Sequence, residues 1–366
     1  MIFKKAFKNK IFLNVIIFFI LFFITDIFYS NFINKSKIKS NCISNKEDFY
    51  FLEEDCFFKQ KYIRNISQYN VYTSQFGLRY SGKKFDKNKK NIFYFGDSFT
   101  YGLGLDYSNS YVGVLENKIY QYNHLNFGLQ GYSPLVYKYQ LYKMIDKNIY
   151  PQKIILALDY TDLFEDSDRW SKPVEEKLPP RLKSNVKTNE INDSFKDKNL
   201  KVTRILAQSV NGFFRNIRLF FKDSTNANNK KEKVGKTEIG RFLYSNEGVY
   251  LQKKIANKSL KKRAKELEIT LKEISQIAKN INSDFYILIY PWPDTIAYGQ
   301  NNFNWEIFFS SFCIQNCKKL INTFPMFLDF KKKNTFWYND LYIKGDLHFN
   351  KKGNSLIAEE ILRVIE

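Results

Sequence analysis

An α/β fold, with a doubly wound, flavodoxin-like parallel sheet of about five strands flanked by helices, is predicted by three features of the sequence. Short, continuously apolar runs at residues 91–96, 154–159 and 284–290 have the length and composition of strands buried on both faces. Stretches with helical spacing alternate with these runs, as in βαβ units. Glycine or proline ends two of them, at Gly96 and at Pro291 with Pro293.

The elements follow in order. Lys4, Lys5, Lys8 and Lys10 precede Ile11–Tyr29, a nearly uninterrupted aliphatic and aromatic run. Crossing the hydrocarbon core as a helix takes about 20 such residues. No small-x-small cleavage site follows, so residues 1–30 are expected to form a cytoplasmic stub and an uncleaved anchor, with the body of the chain outside the cytoplasm. Residues 31–88 read as a polar, irregular lead-in, and 89–366 as the main domain.

Within that domain, Asn91-Ile-Phe-Tyr-Phe-Gly96 is the first strand, and 107–122 has helical spacing through Tyr111, Leu115 and Ile119. Residues 124–129 form a second strand, 134–149 a helix, and Ile154-Ile-Leu-Ala-Leu-Asp159 a third strand. An insertion at about 165–250 is rich in Lys, Asn, Asp and Ser. It holds one amphipathic pattern, Leu206 to Phe220, suited to packing on the domain or to a lid or membrane-surface role. A helix at 259–281, a strand at 284–290 and a final helix at 354–364 complete the pattern.

The net charge of +21 comes from lysines spread along the whole chain, with no nucleic-acid recognition signature beside them. A P-loop and a complete dinucleotide fingerprint are missing from the sequence, so a nucleotide cofactor is not expected, and the expected membrane span argues against a nucleic-acid partner. The lipase-type G-x-S-x-G elbow is missing too. Four cysteines allow three pairings, of which Cys42–Cys56 with Cys313–Cys317 is preferred for an oxidising compartment. Zinc fits poorly, because there is no C-x-x-C pair and only His124 and His348 supply imidazole. Neither cofactor nor metal is expected.

In doubly wound sheets, ligands sit beyond the carboxyl ends of the strands. After the first strand comes Gly96-Asp97-Ser98-Phe99-Thr100-Tyr101-Gly102. A serine on such a turn exposes its hydroxyl and sets its N–H to meet an oxyanion, although a plain N-cap serine looks the same locally. After the second strand, Gly128 and Gly131 suit close backbone approach or a turn. Near the carboxyl end stands Gly345-Asp346-Leu-His348-Phe-Asn350. A serine nucleophile needs an imidazole base and a carboxylate to fix its tautomer, and residues two apart on extended chain face the same way.

Together these segments resemble the SGNH/GDSL hydrolase superfamily across residues 70–366. Gly96-Asp97-Ser98-Phe99 is similar to the family's nucleophile block, Gly131 to the oxyanion glycine of its second block, and Asp346-Leu-His348 to its fifth block. Thr73–Arg79 and Ile289-Tyr-Pro-Trp-Pro293 are similar to bacterial members tied to cell-surface polysaccharide. The third block of the family reads Gly-x-Asn-Asp. Here the stretch is Asp159-Tyr160-Thr161-Asp162, which puts threonine where the oxyanion asparagine stands.

The resemblance implies Ser98, Asp346 and His348 as catalytic residues, with Ser98, Gly131 and Thr161 as the oxyanion hole. It implies an esterase or O-acyltransferase acting on acylated polysaccharide or another ester at the outer face of a bacterial inner membrane. Membrane proteins of polysaccharide biosynthesis are the partners it suggests. A catalytically weak glycan-binding or assembly protein on the same fold is the alternative, favoured by Thr161.

Overall fold

The computed structural model describes residues 14, 17–18, 20–25, 42–46, 49–62, 68–165, 259–300 and 303–366. The chain divides into two units, one of residues 1–40 with 189–234 and one of residues 41–188 with 235–366. In the first unit the described residues are helical and leave Ile17, Phe18, Ile20, Leu21, Phe23 and Ile24 exposed. Among the described residues no helix is long and apolar enough to cross a membrane. The expected span Ile11–Tyr29 lies largely outside the described residues, and so does the amphipathic pattern at 206–220.

The second unit is built on a five-stranded, wholly parallel sheet. Its strands are β5 (Lys90–Phe95), β6 (Tyr122–Asn126), β7 (Pro151–Leu158), β8 (Asp284–Ile289) and β9 (Lys319–Asn322). They lie in the order β6-β5-β7-β8-β9, the 2-1-3-4-5 arrangement of flavodoxin-like sheets, with its switch point beside β5.

The apolar runs form these strands because both faces of the sheet are covered. Alternate residues feed two separate cores. Phe93, Phe95, Leu156 and Ile287 face one side, packing with Leu141, Leu271 and Phe309 from the helices Pro134–Asp146, Ser259–Asn280 and Trp305–Asn316. Ile92, Tyr94, Ile155 and Leu288 face the other, packing with Leu115, Phe327 and Ile361 from Tyr111–Lys118, Phe324–Lys333 and Lys351–Ile365. Each fully buried aliphatic or aromatic side chain contributes roughly 1.5–3 kcal/mol.

Three elements differ from the sequence expectation. The helix expected at 107–122 is a single 3-10 turn, Tyr107–Asn109, followed by Tyr111–Lys118. Ser110 breaks it by capping the second piece, accepting from Gly113 N–H at 3.2 Å. The fifth strand, Lys319–Asn322, had no apolar run to announce it. The described part of the lead-in is ordered into two hairpins, β1 (Ile43–Lys46) with β2 (Phe49–Leu52) and β3 (Phe57–Lys61) with β4 (Gln68–Tyr72). The disulfides are Cys42–Cys56 and Cys313–Cys317, the preferred pairing. The first ties the start of β1 to the start of β3.

Candidate active site

Ser98 opens a one-turn helix, Ser98–Tyr101, directly beyond β5. Both ends of the turn are fastened. At its start the Asp97 carboxylate accepts from the Phe99 N–H at 2.9 Å. At its end Gly102 takes φ +77°, a left-handed conformation that costs a glycine little. The last carbonyls of a helix lack intrahelical partners. Arg79, fully buried, supplies them by donating to the carbonyls of Tyr101 at 2.5 Å, Gly102 at 2.8 Å and also Leu105. The loop after β6 packs against the same turn: Leu129 N–H donates to the Gly96 carbonyl at 3.2 Å and the Asn126 amide to the Thr100 carbonyl at 2.9 Å. Gly128 is required there, since a Cβ would lie 2.3 Å from the backbone nitrogen of Tyr101.

Asp346 and His348 come from the loop between helices Trp337–Leu341 and Lys351–Ile365. Tyr342 and Phe349 bridge across its base, and Ile343 N–H donates to the His348 carbonyl at 2.8 Å. The Tyr338 hydroxyl grips the Asp346 backbone, 2.9 Å from both its N–H and its carbonyl. Asn350, the last member of the motif, caps the final helix by accepting from Lys352 and Gly353 N–H groups.

This loop closes the gap of 250 residues to the serine. His348 Nε2 stands 2.8 Å from Ser98 Oγ, and His348 Nδ1 stands 2.6 Å from Asp346 Oδ1. Asp346 is 1% exposed and ionised beside the ring, so the network assigns the proton to Nδ1 and leaves Nε2 to accept from the serine. Burial works against the Asp346 carboxylate. The bond from the His348 ring, its charge, the Tyr62 hydroxyl and the His348 N–H outweigh burial and hold the carboxyl below its usual range.

The other expected site residues flank Ser98 in the strand order β6-β5-β7. Gly131, at φ +64°, lies in the loop after β6 on one side. Thr161 follows β7 on the other, but its hydroxyl donates to Asp159 Oδ1 at 2.6 Å and its N–H to the same oxygen at 2.8 Å. The threonine expected to serve the oxyanion therefore turns its proton to a carboxylate two residues earlier. Trp292 Nε1 donates to Asp159 Oδ2 at 3.0 Å, and the Tyr290 hydroxyl lies 3.3 Å from Asp97 Oδ1 and 3.5 Å from Asp159 Oδ2. Burial pushes the Asp159 carboxyl up, opposed by the Thr161 and Trp292 bonds and the His348 charge.

Four residues of this network escaped the sequence reading of the site: Tyr62, Arg79, Tyr290 and Trp292. Arg79, Tyr290 and Trp292 sit in the two segments similar to polysaccharide-linked proteins, which was the available signal. Nothing local marks Tyr62. Among the described residues no group of three or more His, Cys, Asp or Glu gathers as a metal site requires.

Compared with family models and with curated proteins, the chain has no match. Solved structures to which it is similar include esterases and lipolytic proteins. One is an esterase from a Pseudoalteromonas species, 14% identical, covering 76% of this chain and 97% of that one at a TM-score of 0.40. A lipolytic protein of the G-D-S-L family from Veillonella parvula is 13% identical, covering 75% and 98% at 0.40. An acetylxylan esterase from Geobacillus stearothermophilus, in a catalytic-mutant form, is 13% identical, covering 77% and 95% at 0.40. The functional reading below stands on the geometry of Ser98, His348 and Asp346.

Proposed function

We propose that this chain is an SGNH/GDSL-type serine esterase or O-acyltransferase, and that it acts outside the cytoplasm on acylated cell-surface glycan. The observation that carries the reading is the relay Ser98 Oγ to His348 Nε2 to Asp346, at 2.8 Å and 2.6 Å. Ser98 Oγ attacks an ester carbonyl while His348 Nε2 takes its proton, and Asp346 stabilises the resulting imidazolium. The N–H groups of Ser98, at the first position of its helix, and of Gly131 are the donors assigned to the oxyanion. Collapse of the tetrahedral intermediate expels the alcohol, which takes the proton back from His348. Water then releases the acyl group, or a sugar hydroxyl accepts it.

The extracytoplasmic placement is supported by two disulfides and by the exposed apolar side chains between Ile17 and Ile24, which lipid would cover. The glycan substrate rests on the resemblance of the sequence motifs and on that placement. The test supplies O-acetylated oligosaccharide with and without a deacylated acceptor. Acetate release alone identifies an esterase, acetyl appearing on the acceptor identifies a transferase, and neither product from the wild-type protein overturns the reading.

One observation favours a second reading, a glycan-binding protein with little turnover. The Thr161 hydroxyl is engaged by Asp159, so a third oxyanion donor is withdrawn. Loss of one such donor lowers kcat by roughly 10²–10³. Glycan binding that survives Ser98→Ala, without ester turnover by the wild type, distinguishes this reading.

A further inference from the structure

We propose that Tyr62, the residue that follows β3, is a positioning residue that holds Asp346 in its working rotamer. This inference rests on the serine-hydrolase reading above. Its hydroxyl donates to Asp346 Oδ2 and lies 3.1 Å from His348 Nδ1. The two oxygens of Asp346 are served differently. Oδ1 accepts from the His348 ring at 2.6 Å and from the His348 N–H at 3.0 Å. Among the described residues, Tyr62 is the one donor that reaches Oδ2. With Asp346 only 1% exposed, that oxygen would otherwise be a buried carboxylate lone pair without a donor.

The fold places Tyr62 there through several independent contacts. It follows β3 immediately, and the preceding Gln60 accepts from the Tyr101 hydroxyl at 2.8 Å, at the end of the nucleophile's own helix. Its ring sits against Gly104, where a Cβ would come within 3.2 Å of Tyr62 Cδ1. The ring meets His348 edge-on, with centroids 6.0 Å apart at 90°. Strand β3, whose start is fixed by the Cys42–Cys56 disulfide, thus touches the serine's helix through Gln60, and the residue just after it reaches the carboxylate.

The consequence for the reaction is geometric. When the imidazole receives the serine proton, Asp346 must keep Oδ1 facing Nδ1. A carboxylate pinned at both oxygens does so. One pinned only at Oδ1 turns about its terminal torsion, which is soft, and admits water to Oδ2.

The experiment compares the full-length wild type with Tyr62→Phe and Ser98→Ala on para-nitrophenyl acetate. Tyr62→Phe is expected to lower kcat about 10-fold, equivalent to about 1.4 kcal/mol, and to leave KM unchanged. The far-downfield proton resonance of the His348–Asp346 bond should move with it. That signal is assignable in a chain with two histidines. Unchanged kcat and an unmoved resonance in Tyr62→Phe, with Ser98→Ala inactive, overturn this inference alone. Full activity of Ser98→Ala overturns the hydrolase reading and this inference with it. If Tyr62→Phe does not fold, 3-fluorotyrosine at position 62 keeps the ring and strengthens the donor. A changed kcat then supports the proposal, and an identical kcat and resonance refute it.

Discussion

Acidifying the protein from pH 7 to pH 4.5 acts on a buried ring remote from the catalytic relay, His124 on β6. Its Nδ1 lies 2.9 Å from the Tyr94 hydroxyl and its Nε2 lies 3.1 Å from the Ile119 carbonyl. A neutral ring satisfies both, with Nε2–H donating to the carbonyl and Nδ1 accepting from the tyrosine. Burial pushes the His124 pKa down from 6.5 to about 4, with the Ile119 carbonyl opposing and the Lys83 and Lys89 charges assisting. Between those two values the unfolded chain binds a proton that the folded one refuses. The stability contributed by the neutral ring is therefore complete above the ordinary value of 6.5 and is lost as the pH falls toward about 4. At about 1.36 kcal/mol per pH unit, the part of that window above pH 4.5 corresponds to roughly 2–3 kcal/mol. Urea unfolding of the wild type and of His124→Gln at both pH values measures it. The wild type should lose roughly 2–3 kcal/mol more than the variant on acidification. Equal losses would refute the reasoning.

Three further outcomes follow from the site. Asp346→Asn should lower kcat by roughly 10³–10⁴ with a small change in KM, because an amide donor at this position forces the ring into the tautomer that cannot accept from Ser98; steady-state kinetics on a small ester measures this. Arg79→Met should destabilise the fold by about 3–5 kcal/mol in urea unfolding, since it strips donors from the buried carbonyls of Tyr101 and Gly102 and the half-buried one of Leu105. Thr161→Val should change kcat by less than about 10-fold if its hydroxyl serves Asp159, whereas loss of a true oxyanion donor costs roughly 10²–10³.

The sheet was legible wherever burial on both faces demanded an unbroken apolar run, as in Ile154–Leu158 and Phe285–Ile289. It was not legible at Lys319–Asn322, where only Ile321 among four residues is fully buried. The lead-in hairpins escaped for a related reason. Phe57–Lys61 and Gln68–Tyr72 alternate exposed with buried or half-buried positions, and their sequences, FFKQK and QYNVY, are half polar. Ser98, Asp346 and His348 could be picked out because their chemistry needs particular residue types on short punctuated turns, and those turns survive as local sequence. Thr161 marks the limit of that logic. Residue type says that a hydroxyl can donate, but the turn decides to whom, and here the acceptor is Asp159. Tyr62 lies 284 residues from Asp346, and only the folded sheet brings them together.

The central claim is that Ser98 is a nucleophile activated by His348. Treating the protein with a fluorophosphonate and mapping the adduct by peptide mass spectrometry tests it most directly. The account predicts a single stoichiometric adduct on Ser98, abolished in Ser98→Ala and strongly slowed in His348→Gln. An adduct on another residue, or undiminished labelling in Ser98→Ala, would contradict it.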